Sequence, residues 1–257
     1  MDDTQRLRYS RHLLLDEWSE DAQERLLASH ALVIGAGGLG APALMYLASA
    51  GVGRITVVDH DTVDLTNLQR QIAHTTARVG QSKVDSARQT LAELNPGVHV
   101  QAIAQAADEA LLSTWVPKAD VVLDCTDRFD IRHLINRVCR QAGVPLVSAA
   151  AVRFDGQISV FDPRRSASPC YACLFPPDAP PEEARCALLG VFAPLVGMMG
   201  VVQAGEAIKL LAGLDEGAGQ LPLSGRLLMV DGRSWQVSAL AVRRDPACPV
   251  CAAAGRP

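Results

Sequence analysis

Residues 33–40 read VIGAGGLG. An apolar strand runs into a glycine-rich turn that opens a helix, and Gly35, Gly37 and Gly40 satisfy G-x-G-x-x-G in the strand–turn–helix context the motif requires. Gly37 lets backbone approach a phosphate, and the helix N-terminus supplies N–H groups and positive potential. The motif commits this part of the chain to a parallel α/β sheet that binds a nucleotide. It does not choose between the pyrophosphate of a redox dinucleotide and the triphosphate of ATP.

The flanking pattern agrees with such a sheet. Ser19-Glu20-Asp21 opens a helix, 31–34 is a strand, 38–50 a helix stopped by Gly51, and 54–58 a second strand ending at Asp59. A helix runs from Ser82 to Asn95-Pro96, then strands at 98–103 and 120–123, a helix over 128–142 and a strand at 145–148. Alternation through about residue 150 predicts a Rossmann-like doubly wound sheet. The pattern then changes. In AVRFDGQISVF, Asp155-Gly156 between alternating runs predicts a hairpin turn, and RLLMVDG with WQVSALAVRR predicts a second hairpin. We expect a single domain over 1–257, with a nucleotide-binding half (1–150) and an antiparallel, partner-binding half (151–257).

With 257 residues and a net charge of -4, the chain can bury a large core but carries no global basic field for nucleic acid. The opening MDDTQRLRYSRH is polar and resembles no export signal, so the seven cysteines point to a reducing, cytoplasmic setting and to metal ligation or chemistry before disulfides. The charge-free run from Cys186 to Gly205 is long enough to cross a membrane. Pro194 and several glycines interrupt it, and it continues as the charged, helical EAIKLLAG; burial in a core or a subunit interface is the expectation, and no membrane partner.

The segment after Asp59 favours ATP. A carboxylate at the end of the second strand can accept both ribose hydroxyls, and the polar loop DHDTVDLTNLQRQ brings Asp61, Asn67, Arg70 and Gln71. A nicotinamide enzyme has no need for Arg70 and Lys83 aimed at phosphates, whereas nucleotidyl transfer does, because charge develops on the displaced pyrophosphate. Asp127, just past a buried strand, lies where strand C-termini converge on the ligand crevice and can hold Mg²⁺ through oxygen.

In this order, GAGGLG, DHDTVDLTNLQRQ, GQSKV, VVLDCTD, PCYAC and CPVC make the chain resemble the ThiF/MoeB/HesA family, bacterial relatives of ubiquitin-activating enzymes, from Arg8 to Cys251. The resemblance implies a homodimeric adenylyltransferase that activates the C-terminal glycine carboxylate of a ubiquitin-like sulfur carrier ending in Gly-Gly. The carboxylate attacks the α-phosphate of Mg-ATP, giving an acyl-adenylate and pyrophosphate. By position, Gly35, Gly37, Gly38 and Gly40 would cradle the nucleotide and Asp59 would bind its ribose. Asn67, Arg70 and Lys83 would hold the phosphates and leaving group, with Asp61 and Gln71 also in the nucleotide site, Asp127 would hold the Mg²⁺, and Arg11 would reach the partner subunit's site. The family often reads C-T-D-N where this chain has Arg128 after Asp127.

Cys170-x-x-Cys173 and Cys248-x-x-Cys251 suit a closed, structural tetrahedral Zn²⁺ site; two redox pairs or a disulfide clip are the other readings. Cys125 and Cys139 fit as small core residues. Cys186 comes after DAPPEEAR and precedes the apolar helix. The resemblance places it at the family's active-site-type cysteine, which can join covalently to the carrier during sulfur transfer in ThiF-like members and is dispensable in MoeB-like ones. Arg185 beside it would favour the thiolate. A bland loop cysteine is the other reading.

Other functions are an NAD-dependent oxidoreductase, disfavoured by Arg70, Lys83 and the cysteine pairs; a non-catalytic activating-enzyme-like subunit, disfavoured by Arg70, Lys83 and Asp127; and a tRNA-directed relative, disfavoured by charge and the paired CxxC motifs. A ThiS-like carrier would imply thiamin biosynthesis and a MoaD-like one molybdenum-cofactor biosynthesis. CYACLFPPD leans towards the former. With no rhodanese domain after the last CxxC, sulfur is expected from a separate persulfide donor.

Overall fold

The computed structural model describes residues 1–178, 190–214 and 223–252. Its centre is an eight-stranded sheet in the order β3-β2-β1-β4-β5-β6-β7-β8. The strands are β1 (His30–Ile34), β2 (Arg54–Val58), β3 (His99–Ile103), β4 (Val121–Asp124), β5 (Leu146–Val152), β6 (Asp155–Phe161), β7 (Arg226–Asp231) and β8 (Gln236–Ala241). β1 to β5 are parallel to one another, and β5 to β8 run as an antiparallel meander. The expected parallel half and antiparallel half are thus one continuous mixed sheet.

The helices are α1 (Asp3–Arg8), α2 (Ser10–Leu13), α3 (Glu20–Ala28), α4 (Gly40–Ala50), α5 (Lys83–Leu94), α6 (Glu109–Trp115), α7 (Phe129–Ala142), α8 (Tyr171–Leu174) and α9 (Ala193–Ala212). Local chemistry sets their ends. Ser19, Ser82 and Asp108 accept backbone N–H bonds as N-caps of α3, α5 and α6, while Gly51, Gly143 and Gly213 close α4, α7 and α9 in the left-handed conformation.

The pleat sends alternate side chains to two cores. Val33, Val57, Leu123 and Ile158 pack with Leu44, Leu47, Val84 and Met199 beneath α4, α5 and α9. Leu32, Ile34 and Val122 face the other way, with Leu112 of α6 and Ile135 and Val138 of α7. α9 is apolar enough to span a membrane, yet 61% of its most apolar window is buried inside this fold. Pro194 sits in its first turn, where a missing N–H costs nothing, so it starts the helix instead of interrupting it.

One expected turn is displaced. Val152 pairs with Asp155, so the hairpin turns at Arg153-Phe154, with Arg153 at φ 51°, and Asp155-Gly156 belong to β6. Gly156 serves packing: a Cβ there would lie 2.8 Å from Met199 Sδ. A glycine demanded by an overlying helix carries the same sequence signal as one demanded by a turn.

Register positions the functional edge. Ile34, the last residue of β1, pairs with Val58, the last of β2, and with Asp124, the last of β4. The segments leaving these strands therefore emerge side by side where the strand order reverses, the place where doubly wound sheets bind ligands.

Candidate active site

A cavity of about 810 Å³ opens at that edge. One end is lined by Gly35, Gly37, Gly38, Asp59, Asp61, Asn67, Arg70, Gln71, Lys83 and Asp127, and the other by Asp155, Gly156, Gln157, Val191 and Met229. Residues dispersed over the sequence from 35 to 127 thus share one cleft wall. Gly40 does not line it: its Cα packs so closely on the loop that a Cβ would overlap Gly35 O. Its absent side chain lets α4 approach the turn. Arg11 is exposed on α2 and is not part of this chain's cleft. Cys186 and Arg185 lie outside the described residues.

The glycine turn is braced by side chains. Asp59 Oδ2 accepts from Ala36 N–H at 2.7 Å and Oδ1 from Asp61 N–H at 2.8 Å, which ties the glycine turn to the segment after β2. The N–H groups of Gly37 and Gly38 have no protein acceptor among the described residues. They are open donors at a helix N-terminus, the arrangement that binds anions.

Lys83 begins α5 and is almost wholly buried; its Nζ meets Asp61 Oδ2 at 2.7 Å. That hydrogen bond holds the Asp61 carboxyl below its usual range. Arg70 folds over its own turn, donating to Thr66 O at 3.2 Å and Asn67 Oδ1 at 3.0 Å. Gln71 is buried, and its Oε1 has no partner among the described residues. An unsatisfied buried acceptor in a cleft wall is costly unless a ligand or water donates to it.

On the β4 side, Asp124 is fully buried and accepts from Thr126 N–H (3.0 Å), Thr126 Oγ1 (2.7 Å) and Ser148 Oγ (2.9 Å). The Arg132 guanidinium stands 3.7 Å from the same carboxylate and donates to Thr126 O. This network fixes the turn that presents Asp127. Asp127 itself is exposed and makes no hydrogen bond or ion pair among the described residues. Arg128, the departure from the family pattern, is bidentate on Asp130, with bonds of 3.1 and 2.5 Å, and so does not occupy Asp127. The acid remains available to a cation held jointly with phosphate oxygens.

Beneath the loop, burial pushes the Cys125 thiol well above its usual range, and its Sγ donates to Gln203 Oε1 at 3.4 Å. A neutral, buried thiol is a packing group. Gln203 Nε2 also donates to Asp124 O and Val147 O, both at 2.8 Å, tying α9 to the last residue of β4 and to the start of β5 beside it. Sequence reasoning passed over Gln203, Arg132 and His74. The first had a signal: it is an amide inside a charge-free apolar run. A lone buried arginine or histidine had none.

Away from the cleft, the sulfurs of Cys170, Cys173, Cys248 and Cys251 all lie within 4.8 Å of one another. Measured pairs are 3.9 Å (170–173), 3.6 Å (170–248) and 3.4 Å (173–251). Four sulfurs at about 2.3 Å from Zn²⁺ would stand about 3.8 Å apart, so the donor set fits. Asp245 N–H also points at Cys173 Sγ, at 3.4 Å, as it would to a thiolate. Without a cation, burial raises the Cys170 thiol, and burial raises that of Cys173 to about 11. Cys170 and Cys173, packed against Cys248 and Cys251, would gain from a divalent cation that keeps them ionised.

The ThiF family model matches residues 9–250. The chain belongs to the ThiF family. Among ThiF-family relatives, the sulfur carrier protein ThiS adenylyltransferase of Escherichia coli (strain K12) is 46% identical over 251 residues, covering 98% of this chain and 97% of that protein. The molybdopterin-synthase adenylyltransferase of the same organism is 44% identical over 254 residues, covering 98% of each. Among solved structures, a crystal structure of E. coli MccB with ATP superposes with a TM-score of 0.82 at 24% identity, over 95% of this chain and 73% of that one. That likeness shows that the ThiF-family chain shares its fold.

Proposed function

We propose that this chain activates the C-terminal carboxylate of a sulfur carrier by adenylation. It is an ATP-dependent sulfur-carrier adenylyltransferase of thiamin or molybdenum-cofactor biosynthesis. The observation that carries the reading is the continuity of the cleft: the glycine turn with Lys83 and Asp127 at one end and the antiparallel strands at the other line one cavity of about 810 Å³. An extended peptide tail from a folded carrier can reach the nucleotide there.

In this reading ATP lies with its phosphates on the open N–H groups of Gly37 and Gly38 and its ribose at Asp59, with Asp61 alongside. The carrier's terminal carboxylate attacks the α-phosphorus, the bond to the bridging oxygen breaks, and pyrophosphate leaves. Arg70, Lys83 and Asn67 stabilise the charge that develops on the leaving group, with Gln71 lining the same wall. Asp127 would hold Mg²⁺, which would screen the phosphate charges. Two preformed cations in the cleft favour this over hydride transfer, which builds no phosphate charge.

The four cysteines would hold one structural Zn²⁺, closed to substrate. It would clip the segment after β8 to α8 and its N-cap residue. Exposed Leu7, Leu14 and Leu15, on either side of exposed Arg11, support a homodimer in which Arg11 reaches the neighbouring cleft. Cys186 would act after adenylation, in sulfur transfer from a separate persulfide donor. The protein would act in the cytoplasm as a single adenylation domain.

The test is ATP–pyrophosphate exchange with Mg²⁺ and either a ThiS-like or a MoaD-like carrier ending in Gly-Gly. Exchange with one and not the other names the pathway. Exchange with neither, in protein that binds ATP, refutes the carrier reading.

A further inference from the structure

His74 has no part in the chemistry proposed for the cleft. It is buried, with Nε2 2.9 Å from Ala36 O and Nδ1 3.0 Å from Ser86 Oγ. A carbonyl oxygen only accepts, so Nε2 carries the proton, and Nδ1 accepts from the Ser86 hydroxyl. The ring therefore joins the glycine turn to α5, the helix that begins at Lys83. Burial holds its basicity down, which favours this neutral form.

The consequence falls on the next amide. Ala36 is held at both backbone groups: its N–H by Asp59 Oδ2 and its C=O by His74. No peptide bond in the described chain is cis, so across the Ala36–Gly37 bond the C=O and N–H point in opposite directions. Drawing the Ala36 oxygen inwards turns the Gly37 N–H outwards, and that N–H has no acceptor among the described residues. Gly37 lacks a Cβ and could otherwise rotate this peptide at little cost.

We infer that His74 is the positioning residue that aims the Gly37 N–H at a bound nucleotide phosphate and sets the turn in register with Lys83. This role rests on the nucleotide reading of the cleft, but not on which carrier is used. It also explains why a histidine, and not merely an apolar residue, fills this place: the ring donates on one side and accepts on the other, spanning two elements.

The test uses the full chain and ATP binding measured by calorimetry, alongside unfolding midpoints. A glutamine at position 74 can offer its Nε2 to Ala36 O, whereas asparagine is too short to reach it. His74→Asn should weaken ATP binding roughly tenfold or more, the cost of leaving one buried acceptor unsatisfied and its peptide free to turn. His74→Gln should recover most of that loss in ATP binding, although it too loses thermal stability with the ring's packing. Equal weakening in both variants overturns the positioning role and leaves a packing residue. If neither variant folds, nitrogen NMR of ¹⁵N-histidine protein decides: the resonances shifted by Ser86→Ala should belong to a neutral ring protonated at Nε2, and an imidazolium or an Nδ1–H ring there overturns the proposal. Unaltered protein that fails to bind ATP would instead overturn the nucleotide reading, and this role with it.

Discussion

Lys83 and Asp61 are joined twice: Lys83 Nζ lies 2.7 Å from Asp61 Oδ2, and Lys83 N–H donates to Asp61 O at 3.0 Å. The backbone bond fixes where α5 starts, and the side-chain bond holds the ammonium at the cleft wall. A cation held in place before substrate arrives needs no reorganisation when charge develops.

Lys83→Ala and Arg70→Ala should each lower the ATP–pyrophosphate exchange rate by on the order of 10² or more, the scale for losing one preorganised charge stabiliser. Steady-state exchange at saturating carrier measures it. Unchanged rates in both variants would remove these residues from the reaction.

Purified without chelator, the protein should carry about one Zn²⁺ per chain. Cys248→Ser should lose metal and thermal stability while keeping residual exchange, because none of the four cysteines lines the cleft. Elemental analysis that finds no zinc in the unaltered protein refutes the site.

Arg132→Leu should destabilise the fold by ~3 kcal/mol, because it leaves the Asp124 carboxylate buried without its cation. The turn carrying Asp127 should loosen too, since Arg132 also holds Thr126 O. Urea denaturation reads the first effect, and Mg²⁺ dependence of exchange the second. A variant of wild-type stability would show that the hydroxyls of Thr126 and Ser148 satisfy Asp124 alone.

Acid should weaken the fold before carboxylates titrate. Burial lowers His30 and His74 from the ordinary 6.5. In the unfolded chain these rings take protons below about pH 6.5, while in the folded chain they remain neutral, so the unfolded state binds more protons and stability falls as pH falls. Each contributes a slope of up to about 1.4 kcal/mol per pH unit, from pH 6.5 down to its folded value. Urea midpoints at pH 7.0, 6.0 and 5.5 should decline in order; a flat series contradicts the neutral assignment.

Cys186→Ala should keep pyrophosphate exchange, because adenylation uses only the carrier's carboxylate and ATP. Thiocarboxylate formation with a persulfide donor should fail, as should a thiol-sensitive adduct with the carrier. Wild-type thiocarboxylate rates would remove Cys186 from the sulfur-transfer step.

Short-range chemistry was enough to read the parallel half of the sheet. The glycine turn, the caps Ser19 and Ser82, the stop at Gly51 and the acid ending β2 are each set by a few neighbouring residues, so periodicity and motif spacing expose them. The two CxxC pairs were legible for the same reason, since a ligand set is a property of residue type and spacing. Tertiary structure decided what depends on contacts between distant segments. Gly156 looked like a turn residue until the overlying Met199 explained it, and Gly40 looked like part of the phosphate cradle until Gly35 O was found against it. Arg128 stood out only as a departure from the family's pattern until it closed on Asp130. The Asp124–Arg132 network, the Gln203 tie and the His74 bridge all join residues that the sheet brings together from far apart. Their energetics come from burial, and burial is created only when the strands align and the helices close over them.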